Sequence, residues 1–281
     1  MTKILAAFDG LRYSESTHEY AIQLAKQTGA HLVGVFLDDL YYTSYKIYDL
    51  VPQKGGLIGS ARKKLDKKDT KTRATSARRF EMACQQAGIE YTCHHDRNVA
   101  IQELLHESIY ADLLIVDSAE TLSHHPENLP TGFIRELLSQ AQCPVLAVPH
   151  KWKKISRIVM LYDGEPSSVH AIKMFSYILT ALNQNAVDVL TIKPGQQTLH
   201  LPDNGLMKEF MKRHFPKAAF TVLKGMAEEE ITNYLKKQKD TPLVVLGAYR
   251  RGRVSRWFRP SMADTLMKDL KLPLFIAHNK S

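Results

Sequence analysis

Cysteine is scarce in this sequence, which holds three thiols at Cys84, Cys93 and Cys143. So few scattered cysteines exclude a disulfide framework and are typical of a protein kept in a reducing cytosol. No stretch approaches the ~18 uncharged apolar residues that a membrane span needs. The apolar run that opens the chain is too short for a signal peptide and ends on Asp9. These absences favour a cytoplasmic protein with no membrane partner.

The composition is that of a globular chain, with 44% hydrophobic and 24% charged residues. Its net charge of +9 is distributed unevenly. Residues 1–150 contain 16 Lys and Arg against 18 Asp and Glu, whereas residues 151–281 contain 22 against 11. The whole positive excess therefore lies in the second half, where it could attract an anionic partner or simply maintain solubility.

The chain repeats itself, and its 281 residues suggest two domains at ~150 residues each. Three apolar segments recur in the same order in both halves. The matched pairs are Ile4–Gly10 with Ile158–Gly164, Asp112–Asp117 with Thr241–Gly247, and Cys143–Pro149 with Leu272–Ala277. We therefore predict a duplicated domain, with one copy over residues 1–152 and the other over 153–281.

Within each half, continuous apolar runs alternate with longer stretches of helical period, which predicts parallel strands buried on both faces by helices. The fold class is thus α/β, with two tandem doubly wound sheets of five parallel strands. The predicted strands are 3–9, 31–37, 89–94, 112–117 and 144–148, then 157–163, 186–192, 218–223, 242–247 and 273–277. An extra segment at about 39–62 could cover a pocket or form a packed loop through its tyrosines, Tyr41, Tyr42, Tyr45 and Tyr48.

Doubly wound sheets bind ligands beyond the carboxyl ends of their strands. Asp9 and Asp163 end the first strand of each half, where an acid can bind a ligand or begin the following turn. After the second half's fourth strand, Gly247 begins a loop with five arginines that ends at Ser261. Glycine, cationic side chains and a helix N-terminus suit a phosphate. Ser261 also fits a helix cap paired with Asp264.

With these elements placed, both halves resemble the universal stress protein family, and the chain resembles a tandem member. The resemblance implies a strand order of 3-2-1-4-5 in an adenine-nucleotide-alpha-hydrolase-like fold. Its ATP-binding branch carries Gly-x2-Gly-x9-Gly-Ser/Thr after strand four. On this sequence that motif falls on Gly247, Arg250, Pro260 and Ser261, and in the first half on Asp117, Glu120, Pro130 and Thr131.

This register predicts a partly degenerate nucleotide site in the second half and a more degenerate one in the first. Pro260 removes an amide donor, while the first half's acids would repel a triphosphate. The candidate nucleotide-binding residues are Leu161, Asp163, Gly164, Ile192, Leu246, Gly247, Arg250, Gly252, Ser261 and Met262. The degenerate first-half set is Asp9, Asp117, Glu120 and Thr131.

The resemblance implies a stress-response binding or regulatory protein whose candidate ligand is ATP, another adenine nucleotide or another small molecule. It also implies that the closing strands pair the two domains into an intramolecular pseudo-dimer, and a homodimer remains open. The sequence offers no metal-ligand spacing and no catalytic motif, so we expect no metal and no enzyme. The alternatives are a weak nucleotide hydrolase using the second-half pocket and a nucleic-acid-binding protein using the Arg-rich loop, although we do not expect nucleic acid as a partner.

Overall fold

The computed structural model describes residues 2–38, 43–45, 58–96, 99–193, 195, 200–247 and 260–277. Within these ranges, no helix combines the length and the apolar character that crossing a membrane requires.

The first half alternates strands and helices along its whole length. Its elements are β1 (Lys3–Asp9), α1 (Glu15–Thr28), β2 (His31–Leu37), α2 (Ile58–Ala87), β3 (Tyr91–Asp96), α3 (Ala100–Ser108), β4 (Leu113–Asp117), α4 (Gly132–Gln140) and β5 (Val145–Val148). The side chain of Ser14 caps α1 by accepting the Thr17 N–H, and Gly29 ends this helix in the left-handed conformation.

The second half repeats the pattern with a much shorter second helix. Its elements are β6 (Arg157–Leu161), α5 (Pro166–Ile178), a 3₁₀ turn (Thr180–Gln184), β7 (Ala186–Lys193), α6 (Asn204–His214), β8 (Ala219–Lys224), α7 (Ala227–Lys236), β9 (Pro242–Gly247), α8 (Pro260–Thr265), a π-helical turn (Leu266–Leu270) and β10 (Leu274–Ala277). The helical stretch after β6 is interrupted between α5 and the 3₁₀ turn because the backbone of Leu179 leaves the helical region (φ −109°, ψ 46°).

The strand order is β3-β2-β1-β4-β5-β10-β9-β6-β7-β8. Each half has the predicted order 3-2-1-4-5 with parallel neighbours, which confirms the α/β fold class. The two predicted five-stranded sheets are joined through their closing strands into one ten-stranded sheet. The join is the antiparallel pairing of β5 with β10, in which Leu146 lies opposite Phe275. The division at residue 152 stays a prediction.

Hydrophobic cores cover both faces of this sheet. The core with α1, α2, α5 and α6 includes Tyr20, Phe80 and Phe175. The opposite core, with α3, α4, α7 and α8, includes Leu104, Leu137 and Ile231. Strands buried on both faces leave their carboxyl ends as the place where polar side chains can gather.

Candidate functional site

The first half's crevice lies where β1 and β4 are adjacent and the strand order reverses. Asp9 ends β1 and Asp117 ends β4, and both carboxylates are buried. A buried carboxylate needs hydrogen-bond donors or a cation nearby, since burial without a partner is costly. In this crevice the protein's own groups supply those partners.

Arg12 bridges the crevice. Asp9 accepts hydrogen bonds from the Leu11 N–H (2.8 Å) and from Nε of Arg12 (3.0 Å). Nη2 of Arg12 also donates to the hydroxyl of Thr121 (3.1 Å) and to the carbonyl of Ser123 (3.0 Å). The guanidinium therefore ties the turn after β1 to the segment between β4 and α4.

Glu120 lies under the same guanidinium, with Nη2 of Arg12 at 4.0 Å. Its Oε1 accepts the backbone N–H groups of Thr121 (2.9 Å) and Leu122 (3.0 Å). The pKa of Glu120 is raised to about 7, chiefly by burial and also by the negative charge of Asp9, against the opposing effect of the two N–H donors and Arg12. Thr131, the N-cap of α4, donates its hydroxyl to the Glu120 carbonyl and accepts the Ile134 N–H.

Asp117 forms the second branch of this network. The hydroxyl of Ser14 donates to its Oδ2 (2.8 Å), and the Ala119 N–H donates to its Oδ1 (2.9 Å). Nδ1 of His150 lies 3.1 Å from the same Oδ2. The structure thus brings together all four residues predicted for the degenerate site, Asp9, Asp117, Glu120 and Thr131, and fills their crevice with protein groups.

Sequence reasoning missed Arg12, Ser14 and His150, which complete the network. Arg12 carried a local signal, because an arginine three residues after an acid in a turn can reach back to it. Ser14 was recognisable as a helix cap. Nothing in the sequence relates His150 to Asp117, 33 residues earlier.

The equivalent crevice of the second half lies between β6 and β9. Asp163 follows β6 and is half-buried, whereas its counterpart Asp9 is fully buried. Oδ1 of Asp163 accepts the Glu165 N–H (3.0 Å), so this acid shapes the turn that leads into α5. Gly164 has φ +89°, and a Cβ there would lie 2.6 Å from Cβ of Pro202. The turn at position 164 therefore requires glycine.

Gly247 ends β9 directly beneath the start of α5. A Cβ at this position would lie 2.5 Å from the carbonyl carbon of Ser167 and closer still to its oxygen. Only glycine lets the helix N-terminus approach the strand so closely. Packing thus requires glycine at position 247, in addition to the phosphate contact that the place of Gly247 in the motif predicts.

Four further second-half candidates are enclosed in the core around α7 and α8. These are Leu161, Ile192, Leu246 and Met262, each at most 1% exposed. Arg250 and Gly252 lie outside the described residues, as does the side chain of Ser261 at the start of α8. Their nucleotide contacts stay a prediction.

A separate cavity of about 780 Å³ lies beside the first crevice, between α2 and the carboxyl ends of β2 and β3. Its lining includes Phe36, Asp38, Tyr45, Asp69, Arg73 and His95. The rings of Phe36 and His95 stack with centroids 5.3 Å apart. Asp38 pairs with Arg73 (2.9 Å), and Asp69 accepts the Ser44 N–H (2.8 Å).

Tyr45 is one of the four tyrosines whose segment could cover a pocket or form a packed loop. It lines this cavity and donates its hydroxyl to Asp66. Tyr41, Tyr42 and Tyr48 lie outside the described residues. The cavity thus combines an aromatic wall with charges of both signs, among which Asp38 pairs with Arg73 and Asp66 with Arg62.

Comparisons with known proteins identify the fold. A universal stress protein from Archaeoglobus fulgidus superposes with a TM-score of 0.69 at 14% identity, covering 99% of this chain and 98% of the other. The chain has the fold of the universal stress proteins. A putative universal stress protein from Pseudomonas aeruginosa superposes with a TM-score of 0.56 at 14% identity, over 99% of this chain and 93% of the other. No protein-family model and no curated protein sequence matches the chain.

The likeness extends over both halves, because the aligned region is nearly the whole chain. The fold class predicted from the repeated strands is therefore confirmed. At 14% identity, these comparisons show that the fold is shared, but they do not show that the site residues are shared.

Proposed function

We propose that the chain is a tandem member of the universal stress protein family that acts in the cytoplasm as a stress-response binding and regulatory protein. The fold shared along the whole chain supports this proposal. So does the recurrence of the 3-2-1-4-5 order in both halves. The ligand site lies in the second half, and its ligand is ATP or another adenine nucleotide.

The contrast between the two crevices carries the placement of this site. In the first crevice, Asp9 is buried beneath Arg12, and Asp117 and Glu120 occupy two positions of the phosphate motif. An incoming triphosphate would meet these carboxylates and would have to displace the internal bonds. In the second crevice, Asp163 is half-exposed and the equivalent motif positions are Gly247 and Arg250. Glycine and arginine suit a phosphate, whereas paired acids repel it.

Binding is favoured over hydrolysis by the partners of the two acids that a hydrolase could use. Oδ1 of Asp163 accepts the Glu165 N–H. Oδ2 of Asp264 accepts a hydrogen bond from Nη2 of Arg135 (3.1 Å), which connects α8 to α4 across the closing strands. Both carboxylates thus have roles in the fold, so we assign no residue to catalysis.

The test is calorimetric titration of the full chain with ATP at fixed salt, together with mass spectrometry of small molecules released from freshly purified, denatured protein. Arg250→Gly should weaken ATP binding about tenfold, because an arginine–phosphate contact contributes ~1.5–3 kcal/mol. Asp163→Ala should also weaken binding. Circular dichroism of each variant checks that the fold is retained.

Glu120→Gln is the matched control, because Glu120 is the first-half counterpart of Arg250 in the motif register. It should leave ATP affinity unchanged if the nucleotide occupies the second half. Tighter binding by Glu120→Gln with no effect of Arg250→Gly would place the nucleotide in the first crevice. The absence of ATP binding together with a different released molecule would overturn the nucleotide assignment.

A further inference from the structure

Aromatic rings cluster at the C-terminal ends of α5 and α6. The ring of His214 lies 5.4 Å from that of Tyr177 and 4.6 Å from that of Phe210, measured between centroids. Tyr177 is 54% exposed, and Nζ of Lys173 lies 6.0 Å from the centre of its ring. A large aromatic side chain is thus held in place by its neighbours and yet remains open to solvent.

The helices that carry this cluster are rich in cations. The two helices carry Lys173, Lys208, Lys212 and Arg213 against a single carboxylate, Glu209. Lys217 follows α6 and is exposed, as are Lys212 and Arg213. Among the described residues, no ion pair includes any of these cations. We call the surface formed by Lys173, Tyr177, Lys212, Arg213, His214 and Lys217 the α5–α6 face.

The first half contains the same aromatic pair in the opposite electrostatic setting. Tyr110 is 67% exposed just after α3, and its ring meets the edge of His106 at 5.7 Å. The charged residues around it are acidic, namely Glu103, Glu107 and Asp112. An exposed tyrosine beside a histidine is therefore not distinctive by itself. What distinguishes the α5–α6 face is Lys173 beside the ring and the exposed cations of α6 and of position 217.

We infer that the α5–α6 face binds single-stranded nucleic acid, with a base stacked on Tyr177 and phosphates on the surrounding cations. Stacking on an exposed aromatic ring beside a positively charged track is how proteins bind single strands without sequence preference. The second half has more positive charge than a single nucleotide site requires, and this face would use part of that excess. This differs from the sequence-based expectation that nucleic acid is not a partner.

Other anionic partners fit this surface less well. An acidic peptide would satisfy the cations but has no need of the exposed ring. An anionic membrane needs contiguous apolar side chains that can insert. The exposed aliphatic residue of α6 is Leu206, which lies eight residues before His214, or about 12 Å along the helix at ~1.5 Å per residue.

The face is also separate from both crevices. In a parallel α/β sheet the helices run back against the strand direction, so their C-terminal ends lie at the edge where the strands begin. Tyr177 and His214 are at those ends of α5 and α6. The crevices lie at the opposite edge, and ATP should therefore not compete with the nucleic acid.

The experiment is fluorescence anisotropy of the full chain with a labelled oligothymidylate of about 12 nucleotides, within the ~4–16 nucleotides that single-strand binding surfaces cover. Affinity is measured between roughly 50 and 200 mM salt. Tyr177→Ala should weaken binding at least fivefold. Lys212→Gln combined with Arg213→Gln should weaken it and lower the slope of log affinity against log salt by roughly 0.7 per lost phosphate contact. Tyr110→Ala, the matched control, should leave both quantities unchanged.

Unchanged affinity in Tyr177→Ala, or equal loss in Tyr110→Ala, would overturn the stacking surface. Loss of binding in Arg250→Gly, or competition by ATP, would move the nucleic acid to the Arg-rich loop and likewise overturn the proposal. Binding to phosphatidylserine vesicles without binding to the oligonucleotide would identify a membrane surface instead. Circular dichroism confirms that each variant is folded.

Discussion

Glu120 is 9% exposed, and its pKa is raised from an ordinary value of 4.5 to about 7, chiefly by burial. Between those two pH values the folded chain therefore keeps a proton at Glu120 that the unfolded chain has already released. Protonation of Glu120 contributes stability that is fully present below pH 4.5 and is lost as the pH rises through about 7. Above that pH, a buried negative charge faces Asp9 across the crevice.

Glu120→Gln should stabilise the chain at alkaline pH. Glutamine keeps the oxygen that accepts the Thr121 and Leu122 N–H groups but carries no charge at any pH. We expect the free energy of unfolding to rise by about 1–2 kcal/mol relative to wild type at pH 8, and the difference to vanish near pH 4.5. Urea denaturation at both pH values measures it.

Glu127→Gln serves as the control, because Glu127 lies in the same segment, is exposed and accepts the Gly132 N–H (2.7 Å). It should show no stabilisation at high pH. A Glu120→Gln variant whose stability parallels wild type across this range would mean that Glu120 is charged in the folded chain throughout.

At this scale the sequence located the acids of the first crevice but not their partners. Asp117 and Thr131 follow from the register between the two repeats, since a strand end and a helix start are each visible in the pattern. His150 could not be found in this way, because its contact with Asp117 depends on where the chain leaves β5. Long-range polar contacts of this kind have no period in the sequence.

Gly247 illustrates how one residue determines the packing of two elements. The start of α5 rests on the end of β9, and the carbonyl group of Ser167 occupies the space of a side chain at position 247. Gly247→Ala should therefore destabilise the chain by about 2–3 kcal/mol, in the upper range for overpacking against a rigid backbone. Thermal or urea unfolding of the ligand-free protein measures this cost.

Gly205→Ala is the matched substitution, since Gly205 lies in the first turn of α6 and a Cβ there meets nothing within 4 Å. Alanine at that position should be neutral or stabilise by roughly 0.5–1 kcal/mol. If Gly247→Ala kept wild-type stability and lost only nucleotide affinity, the glycine would serve the ligand and not the packing of α5.

At the scale of elements the eight inner strands were predicted well because each is a short apolar run buried on both faces, a pattern that helices of this chain do not share. The edge strands β3 and β8 are only partly buried. The cavity beside α2 was not predicted beyond the idea of a tyrosine cover. It depends on how far the 30-residue α2 extends past the ends of β2 and β3. A helical period gives the length of an element but not the space left beside it.

At the scale of the whole molecule, the two halves share one sheet. β5 and β10 are both buried on every residue, and their pairing makes each strand an internal member of the ten-stranded sheet. The pairing removes two apolar edges that would otherwise be open to other chains. The bond from Arg135 to Asp264 reinforces the junction on one face.

We expect this continuous sheet to unfold as one cooperative unit, because each half would expose the closing strand of the other on opening. Phe275→Ala removes a fully buried ring that lies opposite Leu146 in β5, and it should cost about 3–5 kcal/mol. In a cooperative molecule, hydrogen exchange should then accelerate equally in β1 and in β6, although β1 lies in the other half.

Phe80→Ala provides the converse test from the first half, where that ring packs against Gly34 of β2 far from the junction. It should also accelerate exchange in both strands. If Phe275→Ala affected only β6 and Phe80→Ala only β1, the halves would open independently, and the antiparallel pair would join two domains without coupling their stability.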